Sequence, residues 1–162
     1  MALSLSRHMA RAGVFALMAA VSFAADTAPS PFIGKWSLNV AKSKFEGTPP
    51  VKSYTITITD AGGGKTHNRA EWVDSDGTKG QVEYTAEPSG KPSPTTGYAN
   101  ADSMSVKSTG PRSLEMSMLK AGKKVEWGKY TVSADGKTMH ATEAGTDENG
   151  VKYQWAEVFE RQ

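Results

Sequence analysis

Between Ser53 and Asp60 the chain alternates strictly, with Tyr54, Ile56 and Ile58 on one parity and Thr55, Thr57 and Thr59 on the other. Successive side chains of a strand point to opposite faces, so this pattern predicts a strand with one packed and one wetted side. The same period returns in Gln81–Ala86, where Val82 and Tyr84 oppose Gln81, Glu83 and Thr85. It returns again in Ser113–Lys120, where Leu114, Met116 and Met118 oppose Ser113, Glu115 and Ser117. In Val151–Arg161 the residues Val151, Tyr153, Trp155 and Phe159 share a face that Glu157 interrupts. Further strands are predicted over Lys35–Val40, His67–Val73, Ser103–Ser108, Val125–Val132 and Met139–Ala144.

Turn signals separate these runs: Gly62-Gly63-Gly64, Asp76-Gly77, Ser89-Gly90, Gly110-Pro111, Ala121-Gly122, Asp135-Gly136 and Asn149-Gly150. Asp-Gly and Asn-Gly adopt the positive φ angles of tight hairpins, so neighbouring strands are expected to pair antiparallel. Asn39–Phe45 is expected to form a short helical turn, stopped by Pro49-Pro50. Glu87–Asn100, rich in Pro, Ser, Thr and Gly, is the one long irregular stretch and is expected to be a flap or rim loop. Many short strands in one small chain must deal with their exposed edges, and closing the sheet removes them. The expectation is an all-β fold, a single up-and-down antiparallel β-barrel of about 8–10 strands, with a β-sandwich as the alternative. A membrane barrel is excluded, because the second strand faces carry Thr, Lys, Glu and Gln where a lipid-facing band would need apolar residues.

Residues 1–24 read as a signal peptide: Arg7, His8 and Arg11 precede an apolar run from Ala12 to Ala24, and Ser22-Phe23-Ala24 offers a small-residue cleavage site before Ala25. Residues 25–31 read as a disordered leader and residues 32–162 as one domain. The full chain carries 19 Lys and Arg against 17 Asp and Glu. Removing Arg7 and Arg11 with the leader balances the signs, which argues against nucleic acid and against electrostatic attachment to anionic lipid. The leader's apolar run is too short to span a bilayer, which needs ~20 residues, and the domain contains no run of that length, so no transmembrane segment is expected in the mature chain. Cys is absent, so no disulfide supports this exported chain and its core must carry the stability. The expected location is periplasmic or extracellular.

Phe32-Ile33-Gly34-Lys35-Trp36-Ser37-Leu38 resembles the opening of the calycins, the superfamily of lipocalins, fatty-acid-binding proteins and avidins. That resemblance implies that Trp36 closes the barrel bottom and that Arg161, near the end of the last strand, packs across its indole. The chain also resembles small exported bacterial proteins with a lipocalin-like domain, through Gly34–Asn39, Lys42-Ser43-Lys44-Phe45 and Asp135-Gly136-Lys137-Thr138-Met139. It departs from lipocalins proper in lacking a Thr-Asp-Tyr motif and a helix after the last strand. The segment between its first two strands is too short for the two-helix lid of fatty-acid-binding proteins.

The alternation assigns Tyr54, Trp72, Tyr84, Met104, Met116, Met118, Tyr153 and Trp155 to the interior, either as ligand-binding residues or as a filled core. His67, Arg69 and Glu71 share one strand face and are candidate polar ligand contacts; the competing reading is a cross-linked solvent face. His140 has too few possible partners for a metal site. Asp74-Ser75-Asp76-Gly77 lacks the remaining ligands of a calcium loop and reads as a hairpin turn. No metal or cofactor is expected, and the nucleophile and phosphate-loop motifs are missing. The leading functional reading is non-covalent binding of a small, largely apolar molecule in the barrel interior. A non-enzymatic interaction module with a filled core is the second. A cofactor-free isomerase or cyclase using Tyr84, Tyr153, His67 and Glu71 is the third. Intact-mass measurement of the protein recovered from its exporting host is expected to show a chain beginning at Ala25.

Overall fold

The computed structural model describes residues 29–147 and 149–162. The predicted signal peptide, and the leader up to residue 28, lie outside the described residues. The alternating segments form strands β1 (Gly34–Leu38), β2 (Lys44–Glu46), β3 (Ser53–Gly62), β4 (Lys65–Val73), β5 (Lys79–Ala86), β6 (Ser93–Thr96), β7 (Ser103–Gly110), β8 (Ser113–Lys120), β9 (Lys123–Val132), β10 (Thr138–Thr146) and β11 (Lys152–Arg161). From β3 onward each strand pairs antiparallel with its sequence neighbour, and β1 pairs with both β3 and β11. The result is a closed ten-strand up-and-down barrel, with β2 as an extra strand. A sandwich is excluded by the β1–β11 pairing, which sets Trp36 opposite Arg161 and Leu38 opposite Phe159.

Two expectations are corrected in detail. The expected helix over Asn39–Phe45 shrinks to a single 3₁₀ turn at Val40–Lys42, capped by the Asn39 side chain, and Phe45 joins β2 instead. This turn divides the edge beside β11, so that β1 covers the C-terminal half of β11 while β2 covers Gln154–Ala156. The Glu87–Asn100 stretch is not one loop. Its centre is β6, which bridges β5 and β7 through Tyr84–Thr95 and Ser93–Met104.

One end of the barrel, called upper here, carries the β3–β4, β7–β8 and β9–β10 hairpins together with the start of β1. The lower end carries the β4–β5, β8–β9 and β10–β11 hairpins. Inward positions hold the core, in which Trp36, Phe159, Met104, Met139, Val82 and Val132 are almost wholly buried. Burying such side chains is worth about 1.5–3 kcal/mol each, which is what stabilises a domain without disulfides.

Closure is fastened at the upper end. The Arg161 guanidinium lies 4.1 Å from the centre of the Trp36 ring. Its nitrogens donate to three backbone carbonyls: Nε to Gly136 O at 2.5 Å, Nη1 to Ile33 O at 2.6 Å and Nη2 to Pro31 O at 2.7 Å. The indole Nε1 of Trp36 donates to Phe32 O at 2.8 Å. One cation thus ties the last strand to the chain entering the first strand and to the β9–β10 turn. Gly34 is required here, because a methyl group at this position would collide with the guanidinium and its φ of 141° disfavours a side chain. Arg161→Ala is expected to lower the unfolding free energy by about 4 kcal/mol, from the lost ring contact and charged hydrogen bonds. Arg161→Lys is expected to recover less than half of that, since one ammonium cannot span three carbonyls; urea denaturation checks both.

Candidate functional site

The barrel interior is divided into two zones. The upper zone holds a cavity of about 150 Å³. Its wall is built from inward positions of consecutive strands: Tyr54, Ile56 and Ile58 on β3, Asn68 and Ala70 on β4, Val82 and Tyr84 on β5, and Met104 and Val106 on β7. Leu114, Met116 and Met118 of β8, Tyr130 of β9 and Met139 of β10 complete it, with Phe32 from the segment before β1. Ser30, Gly64, Pro88, Ser108 and Pro111 line it at the upper end. This Met-rich wall is mainly apolar, its polar side chains being Ser30, Thr66, Asn68, Ser108, Ser113 and the three tyrosines, so it selects chiefly by shape and burial. Asn68 is buried, and its amide donates to Thr66 O and Oγ1 rather than being left open to the cavity.

Beneath this cavity lies a carboxyl layer. Glu126 of β9, Glu143 of β10 and Glu157 of β11 are buried and inward-facing. Glu143 pairs with Gly128 and Ala141 pairs with Glu157, so the three form a diagonal row across adjacent strands. The Tyr130 hydroxyl donates to Glu143 Oε1, and the Tyr153 hydroxyl donates to Glu126 Oε2. Neither oxygen of Glu157 has a hydrogen-bond partner. Burial penalises the charged form of each group. It pushes Glu126 up to about 7 against the pull of the Tyr153 hydroxyl, and Glu157 up to about 8, with the Glu126 charge adding to the second. Glu143 is raised well above the ordinary carboxylate range by burial first and then by Glu157 and Glu126. Burial raises Tyr54 well above its ordinary value and Tyr84 likewise, with the glutamates adding to both. The hydroxyls around the layer are therefore proton donors throughout the physiological range.

At the lower end an open groove of about 560 Å³ runs between Glu46-Gly47 and the ends of β9, β10 and β11, and Glu126 and Tyr153 line it. The carboxyl layer therefore separates the apolar cavity above from this wet groove below.

Of the eight interior residues predicted from alternation, Tyr54, Tyr84, Met104, Met116 and Met118 line the cavity. Trp72, Tyr153 and Trp155 do not. Trp72 packs edge-on against Tyr54 and Tyr98, over Gly80, where any side chain would strike its indole. Tyr153 stacks on Trp155, which meets Phe45 of β2 edge-on and donates from Nε1 to Thr48 Oγ1 at 3.1 Å. His67, Arg69 and Glu71 stand on the outer wall. His67 Nε2 lies 2.9 Å from Glu83, and Arg69 donates to Glu71 at 2.8 Å and to Gln81 at 3.3 Å. They are the cross-linked solvent face, and the cost of burying three ionisable groups without partners explains why. With His67 and Glu71 outside and Tyr84 and Tyr153 inside, the four residues of the isomerase reading do not meet. His140 is exposed, and Asp74–Gly77 forms the β4–β5 turn, closed by Asp74 N–H to Thr78 O at 2.8 Å. Among the described residues no group of three or more His, Cys, Asp or Glu could hold a metal ion, and no helix is long and apolar enough to cross a membrane.

The inferred mouth also changes. The Pro88 side of the Glu87–Asn100 stretch lines the cavity at the upper end, while Tyr98 lies at the other end of the barrel against Trp72. The cavity therefore lies at the same end as the Trp36–Arg161 clasp.

No protein-family model and no curated protein sequence matches the chain. Among solved structures, a single-site mutant of the fluorescent protein UnaG superposes with a TM-score of 0.52 at 14% identity, covering 82% of this chain and 96% of that one. The fold is calycin-like. A redesigned beta barrel aligns with a TM-score of 0.46 at 15% identity, over 82% of this chain and 93% of that one. Zebrafish ileal bile acid-binding protein, complexed with cholic acid, gives 0.46 at 13% identity over 82% and 100%. At these identities the likeness concerns the course of the backbone and not the interior side chains.

The carboxyl layer makes stability pH-dependent with a definite sign. Below about pH 4.5 glutamates are protonated in both the folded and the unfolded chain, and the folded state carries no penalty. As pH rises towards 8 the unfolded chain releases protons that Glu126 and Glu157 retain, so stability falls through that window. Glu157→Gln is expected to be nearly neutral at pH 5 and to stabilise the protein at pH 8.5 on the order of 3 kcal/mol. Thermal melts across pH 5–8.5 check this; a wild-type midpoint that rises with pH would refute it.

Proposed function

We propose that this protein binds one small, largely apolar molecule non-covalently in the upper cavity, and does so as an exported protein. The cavity carries the reading: a mainly apolar hollow, partly open at the upper end, in a barrel without disulfides forgoes dispersion contacts, and a ligand restores them. A dry apolar cavity of about this size accepts a benzene-sized molecule. The expected ligand is therefore a compact ring or short branched chain, not a long acyl tail held wholly inside. Export is supported by the order of charge, apolar run and small residues in 1–24.

Native mass spectrometry of protein from its own host tests the reading first, and a retained small molecule is the expected result. Met116→Trp, which puts an indole into the cavity, is expected to weaken binding of an apolar probe such as ethylbenzene by at least about tenfold, or ~1.4 kcal/mol. Calorimetric titration measures this. Bare native protein with no affinity for ethylbenzene would sink the proposal.

A further inference from the structure

Resting on the binding reading above, we propose that the ligand of this barrel carries a protonated nitrogen at its buried end, recognised by Glu157 and Glu143 beneath the cavity. Glu157 points to it most directly. Its side chain is 1% exposed, yet both carboxyl oxygens lack a partner. Native interiors leave very few such atoms, and each calls for an explanation.

The partner that Glu157 lacks is not supplied from within. Tyr130 serves Glu143 and Tyr153 serves Glu126, and each hydroxyl reaches only one oxygen of its carboxyl. Every Lys among the described residues is exposed, as are Arg69 and Arg112, and Arg161 is committed to Trp36 and three carbonyls at the upper end. The groups facing the layer are Tyr54 from β3, Tyr84 from β5, Tyr130 from β9 and Tyr153 from β11, with Tyr98 from the segment before β7 acting on Tyr153, besides the three glutamates themselves. All are acids. An interior with three carboxyls and no cation lacks a counter-charge, and a buried carboxylate is tolerated best when paired with one.

The position suits an ammonium or amidinium head. Ala141 pairs with both Tyr130 and Glu157, so Glu157 stands in the same row as Tyr130, which lines the cavity. The next row up contains Met139 and Phe159, and Met139 also lines the cavity. A ligand whose apolar body fills the cavity places its lower end at the Tyr130 hydroxyl, which is bonded to Glu143. Glu157 stands in the Tyr130 row and Glu143 one row below, both behind the cavity wall and not part of it. An ammonium offers donors to Glu157 and Glu143 together with the missing positive charge. An anionic head group would be repelled by the same row.

Isothermal titration with benzylamine, its neutral isostere ethylbenzene and the anion benzoate tests the inference on the intact protein. At pH 8 benzylamine is expected to bind at least about tenfold more tightly than ethylbenzene, and benzoate more weakly than either. At pH 7 benzylamine binding is expected to release protons from the carboxyl layer, seen as a heat that depends on the buffer, whereas ethylbenzene binding is not. Glu157→Gln is expected to weaken benzylamine at least about tenfold and leave ethylbenzene within about twofold. Equal affinity for benzylamine and ethylbenzene, or an amine preference unchanged by Glu157→Gln, overturns the inference while leaving the apolar-cavity reading intact. Failure of both probes to bind overturns both. The wild-type ranking and the proton release decide the matter without any variant, should Glu157→Gln fold poorly.

Discussion

A ten-strand antiparallel sheet survives as a barrel only if its last strand finds its first, and here that meeting is held by a single cation. Arg161 lies over Trp36 and gives its donors to the carbonyls of Pro31, Ile33 and Gly136. These join the chain entering β1 to the turn between β9 and β10. Backbone pairing alone would leave a short ladder from Trp36 to Leu38 to resist fraying. Side-chain donors convert that short ladder into a knot from which three segments cannot separate independently. The enclosed interior, and hence both the apolar cavity and the buried acids, exists only while this knot holds.

Enclosure has opposite effects on the two zones. For the methionines and aliphatic residues of the upper half, removal from water is the source of stability. For Glu126, Glu143 and Glu157 the same removal is a penalty, partly offset by two tyrosine hydroxyls. The fold therefore carries a polar layer that an apolar substitution of equal shape would make cheaper. Such a layer is a structural liability unless something uses it, which is the physical ground for reading it as a recognition element.

Much of the architecture was legible in alternation and turn chemistry. Tyr54–Ile56–Ile58 and Leu114–Met116–Met118 lie on the dry side because strands leave no other choice for a sheet with one wet face. The bracket from Gly34-Lys35-Trp36 to Arg161 marked the closure. What was not legible was short or locally contradictory. β2 and β6 span few residues, one with lysine and glutamate at its ends and one containing Pro94, and only tertiary pairing makes them strands. The buried glutamates are legible in phase but not in residue type. Glu143 shares its parity with Met139 and Ala141, and Glu126 shares its parity with Tyr130 and Val132, so phase marked them as inward. Residue type argued otherwise, and phase proved the better guide. For His67, Arg69 and Glu71 the two signals agreed, and the outer wall is where they stand.

The wall itself is uneven. β4 and β5 are laced together from Thr66–Ala86 to Val73–Lys79, whereas β6 is joined to β5 only at Glu83–Thr96 and Tyr84–Thr95, and to β7 only at Ser93–Met104 and Pro94–Ser103. Two of those residues, Tyr84 and Met104, face the cavity. The segment entering β6 adds to this seam, with Gly90 N–H donating to Val106 O at 2.7 Å and Ser108 N–H to Pro88 O at 3.0 Å. The panel is thus where the strand ladder of the barrel wall is shortest, and where closure rests on loop bonds as much as on strand pairing.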